Sequence, residues 1–372
     1  MRSEAGTIAR SGCDNRAVTL ALEAGHLRVE VGPAHDRQAV VRDVSVVLSR
    51  GEITALVGET GSGKTMTALS LMRLLPPTAQ GTAGTLRVGD TDLTDLSERE
   101  MSKVRGSRLS MIFQDPLAAL NPVRTIGFQI AEPLRAHKRL RQRDATRRVA
   151  ALLEQVGIPE PMYNLRRYPH ELSGGMRQRV LIAAALSCDP EVLIADEPTT
   201  ALDVTVQAQI LRLIRAETER RGLAVLLVTH DLAVAASVAN HIQVMYGGTT
   251  VEAGPTADVL GAPNHPYTRG LLNSVPNARQ TVSPMRAIPG SPEGVWAIGK
   301  GCRFAPRCAF AMDVCTEVVP PEVTFGDVRV ACHLYPPGSD GVPVTVPPPN
   351  AIGATAPLVE PPPDAPPIEV PA

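Results

Sequence analysis

Eight consecutive residues, Gly58-Glu59-Thr60-Gly61-Ser62-Gly63-Lys64-Thr65, set glycines on either side of short polar residues and end on a lysine and a hydroxyl. Glycines let backbone N–H groups converge on one anion with no Cβ in the way. A lysine and a hydroxyl at the end of such a run are the partners that nucleotide phosphates and Mg²⁺ require. Lys64 is placed to reach the β- and γ-phosphates, and Thr65 to ligate Mg²⁺. Four more residues carry matching chemistry. Asp196 follows an apolar run and suits Mg²⁺ or its water; Glu197, next to it, suits a water aimed in line at a γ-phosphate. Two adjacent carboxylates at the end of an apolar strand are costly unless a cation or water network meets them. His230 ends another apolar run and Gln114 a third, the first offering a hydrogen bond to the γ-phosphate and the second a neutral carbonyl ligand to Mg²⁺.

These residues need a scaffold that brings strand ends together. Ile53 to Val57 is an apolar, β-branched run leading into the glycine loop, and Lys64 opens an apolar stretch ending at Pro76-Pro77. That is strand, loop and helix, the context in which the motif means phosphate binding rather than an incidental turn. Leu27, Val29 and Val31 alternate with charged residues, as do Val44, Val46 and Leu48 with their neighbours, and Leu86 to Val88 continues this β-rich opening. Ser107 to Phe113 and Val192 to Ala195 are short strands, and Leu223 to Val228 is a continuous apolar run suited to the middle of a parallel sheet. His241 to Tyr246 and Thr249 to Glu252 form a hairpin through Gly247-Gly248. From Pro116 to about Leu172 the pattern is helical, punctuated by Pro122, Pro133, Gly157 and Pro159. Helices also follow Gly175, to about Cys188, and Asp203, where Val206, Ile210, Leu213, Ile214 and Glu217 share a face. Strands alternating with helices, with polar residues gathered where strands end, make an α/β fold with its ligand at those ends.

Bulk properties narrow the classes. A net charge of −1 calls for neither nucleic acid nor an anionic membrane. Arg135, Lys138, Arg139, Arg141, Arg143, Arg147 and Arg148 cluster, but without interleaved aromatics they read as a solvated helix face. No apolar run approaches the ~20 residues of a spanning helix, and the opening residues, with Glu4 and Asp14, fail as a secretory signal. A cytosolic protein is expected, touching membrane only through partners. The expected organisation is a flexible extension over 1–25, a nucleotide-binding domain over 26–260 with a helical insertion at about 115–185, a Cys-rich unit over 261–335, and a proline-rich tail over 336–372.

The motifs, taken in order, resemble an ATP-binding cassette (ABC) ATPase. Gly58 to Thr65, Gln114, Leu172-Ser173-Gly174-Gly175-Met176-Arg177-Gln178-Arg179, Val192 to Pro198, Ala201-Leu202-Asp203 and His230 correspond to its Walker A, Q-loop, signature, Walker B, D-loop and H-loop. The resemblance implies a P-loop core with an antiparallel β subdomain, an inserted helical subdomain and a small Cys-rich C-terminal domain. It also implies two cassettes paired head to tail. Ser173, Gly174, Gly175 and Gln178 then belong to the partner's ATP site, and Asp203 to the seam. The family stacks adenine on an aromatic of the first strand region; here Leu27 to Val41 holds no Phe, Tyr or Trp, and Val31 or His35 falls near the expected place.

Phe113-Gln114-Asp115-Pro116, Leu120-Asn121-Pro122, His265-Pro266-Tyr267-Thr268-Arg269-Gly270-Leu271-Leu272 and Pro289-Gly290-Ser291-Pro292 look like the ATPases of dipeptide and oligopeptide importers, with nickel importers as close relatives. That resemblance implies ATP hydrolysis driving uptake through two separate permease subunits, an extracytoplasmic solute-binding protein, and a second, related ATPase subunit, all serving a chain on the cytoplasmic face. A soluble cassette acting on nucleic acid or ribosomes, or an ATP sensor without turnover, are the competing classes. Cys302, Cys308, Cys315 and Cys332 lie in the C-terminal extension typical of these ATPases. Their spacing lacks the C-x₂-C knuckles of structural zinc. Four thiolates suit a [4Fe–4S] cluster, with Arg303 and Arg307 to offset its charge, while zinc and unliganded thiols stay open. Cys13 and Cys188 read as incidental or structural.

Overall fold

A computed structural model describes residues 19–33, 35–200, 202–274, 288–291, 295–339, 341 and 343–344. Cys13 and the tail from residue 345 onward, with their expected roles, lie outside the described residues.

The first sheet is antiparallel. Strands β1 (Leu20–Val31) and β2 (Gln38–Ser49) pair along their length, and β4 (Ala79–Thr82), β5 (Thr85–Val88) and β6 (Thr91–Asp92) complete it. Its order is β2-β1-β5-β6, with β4 on β1. Strand β1 begins at Leu20, inside the stretch expected to be a flexible extension. Ala21, Leu22 and Ala24 are buried there. The alternation that marks a strand is interrupted by a register shift between Ala24 and Leu27, where His26 takes a left-handed φ of 55°.

The second sheet holds the chemistry. It comprises β3 (Ile53–Val57), β7 (Leu109–Ile112), β8 (Val192–Asp196), β9 (Ala224–Thr229), β10 (His241–Tyr246), β11 (Thr249–Pro255), β12 (Glu322–Phe325) and β13 (Val328–Ala331). The order is β12-β13-β11-β10-β3-β9-β8-β7. Strands β7, β8, β9, β3 and β10 run parallel; β11, β13 and β12 add an antiparallel edge. The Cys-rich segment thus extends the main sheet through β13 on β11. All residues of β3, β8 and β9 are buried, which is why they read as unbroken apolar runs. One face of β9 (Ala224, Leu226, Val228) packs toward the first sheet, the other (Val225, Leu227) toward the helices.

Helix α1 (Lys64–Leu71) follows the glycine loop and α2 (Glu98–Val104) is closed by a Ser97–Glu100 capping box. The insertion consists of α3 (Pro116–Ala119), α4 (Ile126–Lys138), α5 (Gln142–Gln155) and α6 (Pro161–Asn164), leading to α7 (Gly174–Ala185). Ile130, Leu134, Val149, Leu152 and Val180 form its shared core. Pro133 lies inside α4 rather than ending it. The basic cluster is largely exposed on α4 and α5, with Arg148 paired to Asp189. Helices α8 (Val204–Arg221), α9 (Leu232–Val238), α10 (Thr256–Gly261), α11 (Pro266–Asn273) and α12 (Val314–Glu317) complete the set. Among the described residues no helix is long and apolar enough to cross a membrane.

Candidate active site

The parallel strands deliver their polar residues to one end of the sheet. Gly58 follows β3, Asp196 is the last residue of β8, Gln114 lies just beyond β7, and His230 just beyond β9. Backbone demand explains the loop's glycines. Gly58 has φ +154°, and a Cβ there would stand 2.2 Å from the Met245 carbonyl oxygen. Gly63 has φ +100°, with a Cβ at 2.7 Å from the Val40 oxygen. Helix α1 starts at Gly63 without a side-chain cap, whereas Ser97, Thr125, Ser173, Asp203 and Asp231 cap α2, α4, α7, α8 and α9. Uncapped amides at a helix start suit an anion.

Lys64 is folded onto its own loop. Its Nζ donates to the oxygens of Gly58 (2.8 Å) and Glu59 (2.9 Å). Burial pushes its pKa down, while Glu197, Asp196 and Glu59 pull the other way. The ammonium is thereby held near the loop without a carboxylate partner, ready to exchange carbonyls for phosphate oxygens.

Thr65 Oγ1 donates to Asp196 Oδ1 at 3.4 Å. Burial raises the Asp196 carboxyl to about 6, with Glu197 adding and Thr65 and Lys64 opposing. A hydroxyl and a carboxylate brought to one point, the latter short of positive charge, form a donor set for a hard divalent cation such as Mg²⁺. Glu197 sits with a left-handed φ of 46°, a costly conformation that aims its side chain at three partners. Gln114 Nε2 (2.8 Å) and Thr200 Oγ1 (2.9 Å) donate to Oε2, and His230 Nδ1–H donates to Oε1 (3.0 Å). Burial pushes the Glu197 pKa up, but the bonds from His230 and Thr200 outweigh it and hold the carboxylate below its usual range. Gln114 gives its amide N–H to Glu197, a bond that leaves free the carbonyl oxygen expected to face Mg²⁺.

Val40, Thr60, Gly61, Gly63, Lys64, Thr65, Met66, Gln114, Glu197, His230 and Trp296 together line one cavity of about 360 Å³. Val40 lines it, not Val31 or His35. Gly58 and Ser62 are buried beneath the loop. Ser173 and Gly174 lie exposed at the start of α7, away from this cavity, and Gly175 is half-buried against Val206. Asp203 is exposed and caps α8, accepting from the Val206 N–H at 2.9 Å. Gln178, expected at a ligand surface, is only 2% exposed, because it falls on the face of α7 turned into the core.

Sequence reasoning missed a buttress. The Tyr267 hydroxyl accepts from the Glu59 N–H at 2.8 Å. Arg307 grips the Glu59 carboxylate with both η-nitrogens, at 2.6 and 3.1 Å, and donates through Nε to the Pro289 oxygen. Tyr246, Tyr267 and Phe304 pack around them, with ring centroids 4.6 to 5.3 Å apart. Arg307 therefore serves the phosphate loop rather than offsetting charge at the cysteines. Arg303 donates to the Val295 oxygen. The His265-Pro266-Tyr267 stretch was the available signal, read only as a family marker.

Cys302, Cys308, Cys315 and Cys332 are free thiols, and Cys188 is a buried one behind α7. Burial raises the pKa of Cys302 and pushes Cys308 and Cys332 up to about 12, with the neighbouring thiols adding to the shift. The four are thus neighbours, but among the described residues no three His, Cys, Asp or Glu side chains stand as a metal-binding group. Four thiols are a donor set that iron takes.

Residues 41–200 match the family described as ABC transporter, and residues 251–315 match the oligopeptide/dipeptide transporter C-terminal region. The chain is 48% identical over 296 residues to the dipeptide transport ATP-binding protein DppD of Bacillus subtilis, covering 79% of this chain and 88% of that one. It is 43% identical over 315 residues to the oligopeptide transport ATP-binding protein OppD of Salmonella typhimurium, covering 85% and 93%. Among solved structures, it resembles a dimeric ATP-binding cassette in a post-hydrolysis state with ADP and Pi, at a TM-score of 0.57 and 26% identity over 63% of this chain and 98% of that one. With the loop, the paired carboxylates and these relatives in agreement, the chain belongs to the ATP-hydrolysing, ATP-binding subunits of the ABC transporters.

Proposed function

We propose that this chain powers the import of dipeptides or oligopeptides, spending ATP at the site built by Lys64, Thr65, Asp196, Glu197 and His230. The observation that carries the reading is the junction between the two matched regions: Tyr267 and Arg307 of the oligopeptide/dipeptide-type segment hold Glu59 of the phosphate loop. Lys64 and the α1 amides bind the phosphates, and Thr65 with Asp196 would hold Mg²⁺, which would supply neutralisation of the phosphate charge. Glu197 orients a water and takes its proton as oxygen bonds to the γ-phosphorus and the bond to ADP breaks; His230, fixed through Nδ1, steadies that carboxylate. Stabilisation by placed charges supplies most of the rate.

The signature residues Ser173 and Gly174 lie exposed, with Gly175 half-buried beside them, and none of the three lines the chain's own cavity, which supports their service to a second cassette, with Asp203 at the seam. That partner is proposed to be a related chain, the pair docking peripherally on two permease subunits at the cytoplasmic face, with a solute-binding protein opposite. The nucleotide-binding unit begins with β1 at Leu20 rather than at 26, and divisions at about residues 260 and 335 are proposed after it. The four C-terminal cysteines are proposed to gather a [4Fe–4S] cluster. What supports this is four free, neighbouring thiols on one unit; anaerobically purified protein that is colourless and iron-free rejects it.

Uptake of labelled dipeptides, oligopeptides and nickel by a deletion strain, rescued with the intact chain or Glu197→Gln, tests the function. Loss of peptide uptake, restored by the intact chain alone, is the expected result. Loss confined to nickel moves the cargo to metal and refutes peptide import.

A further inference from the structure

The cavity has a polar side and an apolar side. Gln114, Glu197, His230, Lys64 and Thr65 make the first, and Val40, Met66 and Trp296 the second. A nucleotide presents the same division: its triphosphate needs donors and a cation, and its base needs a flat apolar surface. Of the lining side chains, Trp296 is the one large aromatic; the other ring, His230, is tied to Glu197 on the polar side. It comes from the C-terminal segment, more than 200 residues beyond the phosphate loop.

Its placement is built. The indole lies against Gly248, where an added Cβ would come within 3.0 Å of Trp296 Cζ3, so glycine there opens the space the ring occupies. Gly248 in turn lies beside Gly63, whose added Cβ would stand 3.4 Å from its Cα. The short turn that carries the ring, Val295–Ala297, is pinned from two directions. Arg42 of β2 donates to the oxygens of Trp296 (3.4 Å) and Ile298 (3.3 Å), and Arg303 donates to that of Val295 (2.9 Å). Val295 is buried in the aromatic cluster around Tyr246 and Phe304, while Trp296 is only partly covered. A fixed turn, a ring backed by glycine on one side and open to a cavity on the other, is a stacking platform.

We propose that Trp296 stacks the nucleobase, so that the C-terminal segment supplies the aromatic surface that β1 and β2 lack. The proposal rests on the nucleotide reading of the site. Every base has a π-face, so the platform adds affinity for the base while the glycine loop recognises the phosphates independently.

The chain holds a single tryptophan, so its intrinsic emission reports on this position alone. Full-length protein is titrated with Mg-ATP and with inorganic tripolyphosphate plus Mg²⁺, following emission and, in parallel, heat. Both ligands bind, but only ATP quenches the emission saturably. Trp296→Ala weakens ATP about tenfold or more and leaves tripolyphosphate unchanged; Trp296→Phe restores most of the loss. Unchanged ATP affinity in Trp296→Ala, equal weakening of both ligands, or ATP binding without any change in wild-type emission overturns the proposal while the nucleotide site stands. Failure of both ligands to bind the wild-type protein removes the nucleotide reading as well.

Discussion

Removing either partner of the Glu59–Arg307 pair should destabilise the chain, and unequally. The Arg307 side chain is 6% exposed and that of Glu59 26%. Glu59→Ala strands the guanidinium with, among the described residues, the Tyr246 hydroxyl and the Pro289 oxygen as its remaining acceptors. An unpaired buried charge costs about 3–5 kcal/mol. Arg307→Ala leaves a carboxylate that water can reach, so the loss is nearer that of a charged hydrogen bond, about 1.5–3 kcal/mol. Because the cost of Glu59→Ala is the stranded guanidinium, the double variant, which removes it, should be less destabilised than Glu59→Ala alone. Urea unfolding of the intact chain and the three variants gives the coupling directly. Single effects that add to within ~0.5 kcal/mol would refute the pairing. So would an Arg307→Ala loss larger than that of Glu59→Ala, since it reverses the exposure argument.

Three further outcomes are expected. Glu197→Gln should lower phosphate release about 10²–10⁴-fold while ATP still binds; undiminished release removes Glu197 from the reaction. Asp196 has its pKa raised from 3.8 to about 6, so its burial cost is absent below the lower value, grows as pH rises between them and is complete above the higher. Mg²⁺-dependent stabilisation should therefore strengthen as pH rises through about 6, and Asp196→Asn should abolish that dependence in thermal melts with and without Mg²⁺. His265 is fully buried, and burial lowers its pKa from 6.5 to about 3, with Arg269 adding to the effect. Its neutral form is the folded one, so stability should fall as pH drops from 6.5 toward 3. His265→Asn should flatten that fall in urea midpoints measured across the range; an unchanged slope assigns it to other groups.

The sheet's centre was legible because β3, β8 and β9 are covered on both faces, and burial on both faces leaves an unbroken apolar run. The phosphate loop was legible because its chemistry is local: glycine, lysine and hydroxyl within eight residues. Directions were not. Gln114 was placed at the right strand end, yet which end of its amide faces Glu197 depends on a residue 83 positions away. Gln178 sits in a recognisable motif, but the packing of α7 decides that it turns inward. The start of β1 was obscured by the bulge at His26, which breaks the period on which strand reading relies. Arg307 was drawn to the nearby cysteines by sequence proximity, while in space it belongs to Glu59.

The buttress also orders events during synthesis. Tyr267 follows Glu59 by 208 residues and Arg307 by 248. At ribosomal speeds of about 5–20 residues per second, Arg307 is made roughly 12–50 s after the loop it clamps. Through that interval the nascent loop has its glycines and its lysine but no ion pair on the Glu59 carboxylate. Translation that stops short of Arg307 leaves a cassette whose phosphate loop is written but lacks its ion-pair brace, so a fully braced nucleotide site marks a chain that has been read past residue 307.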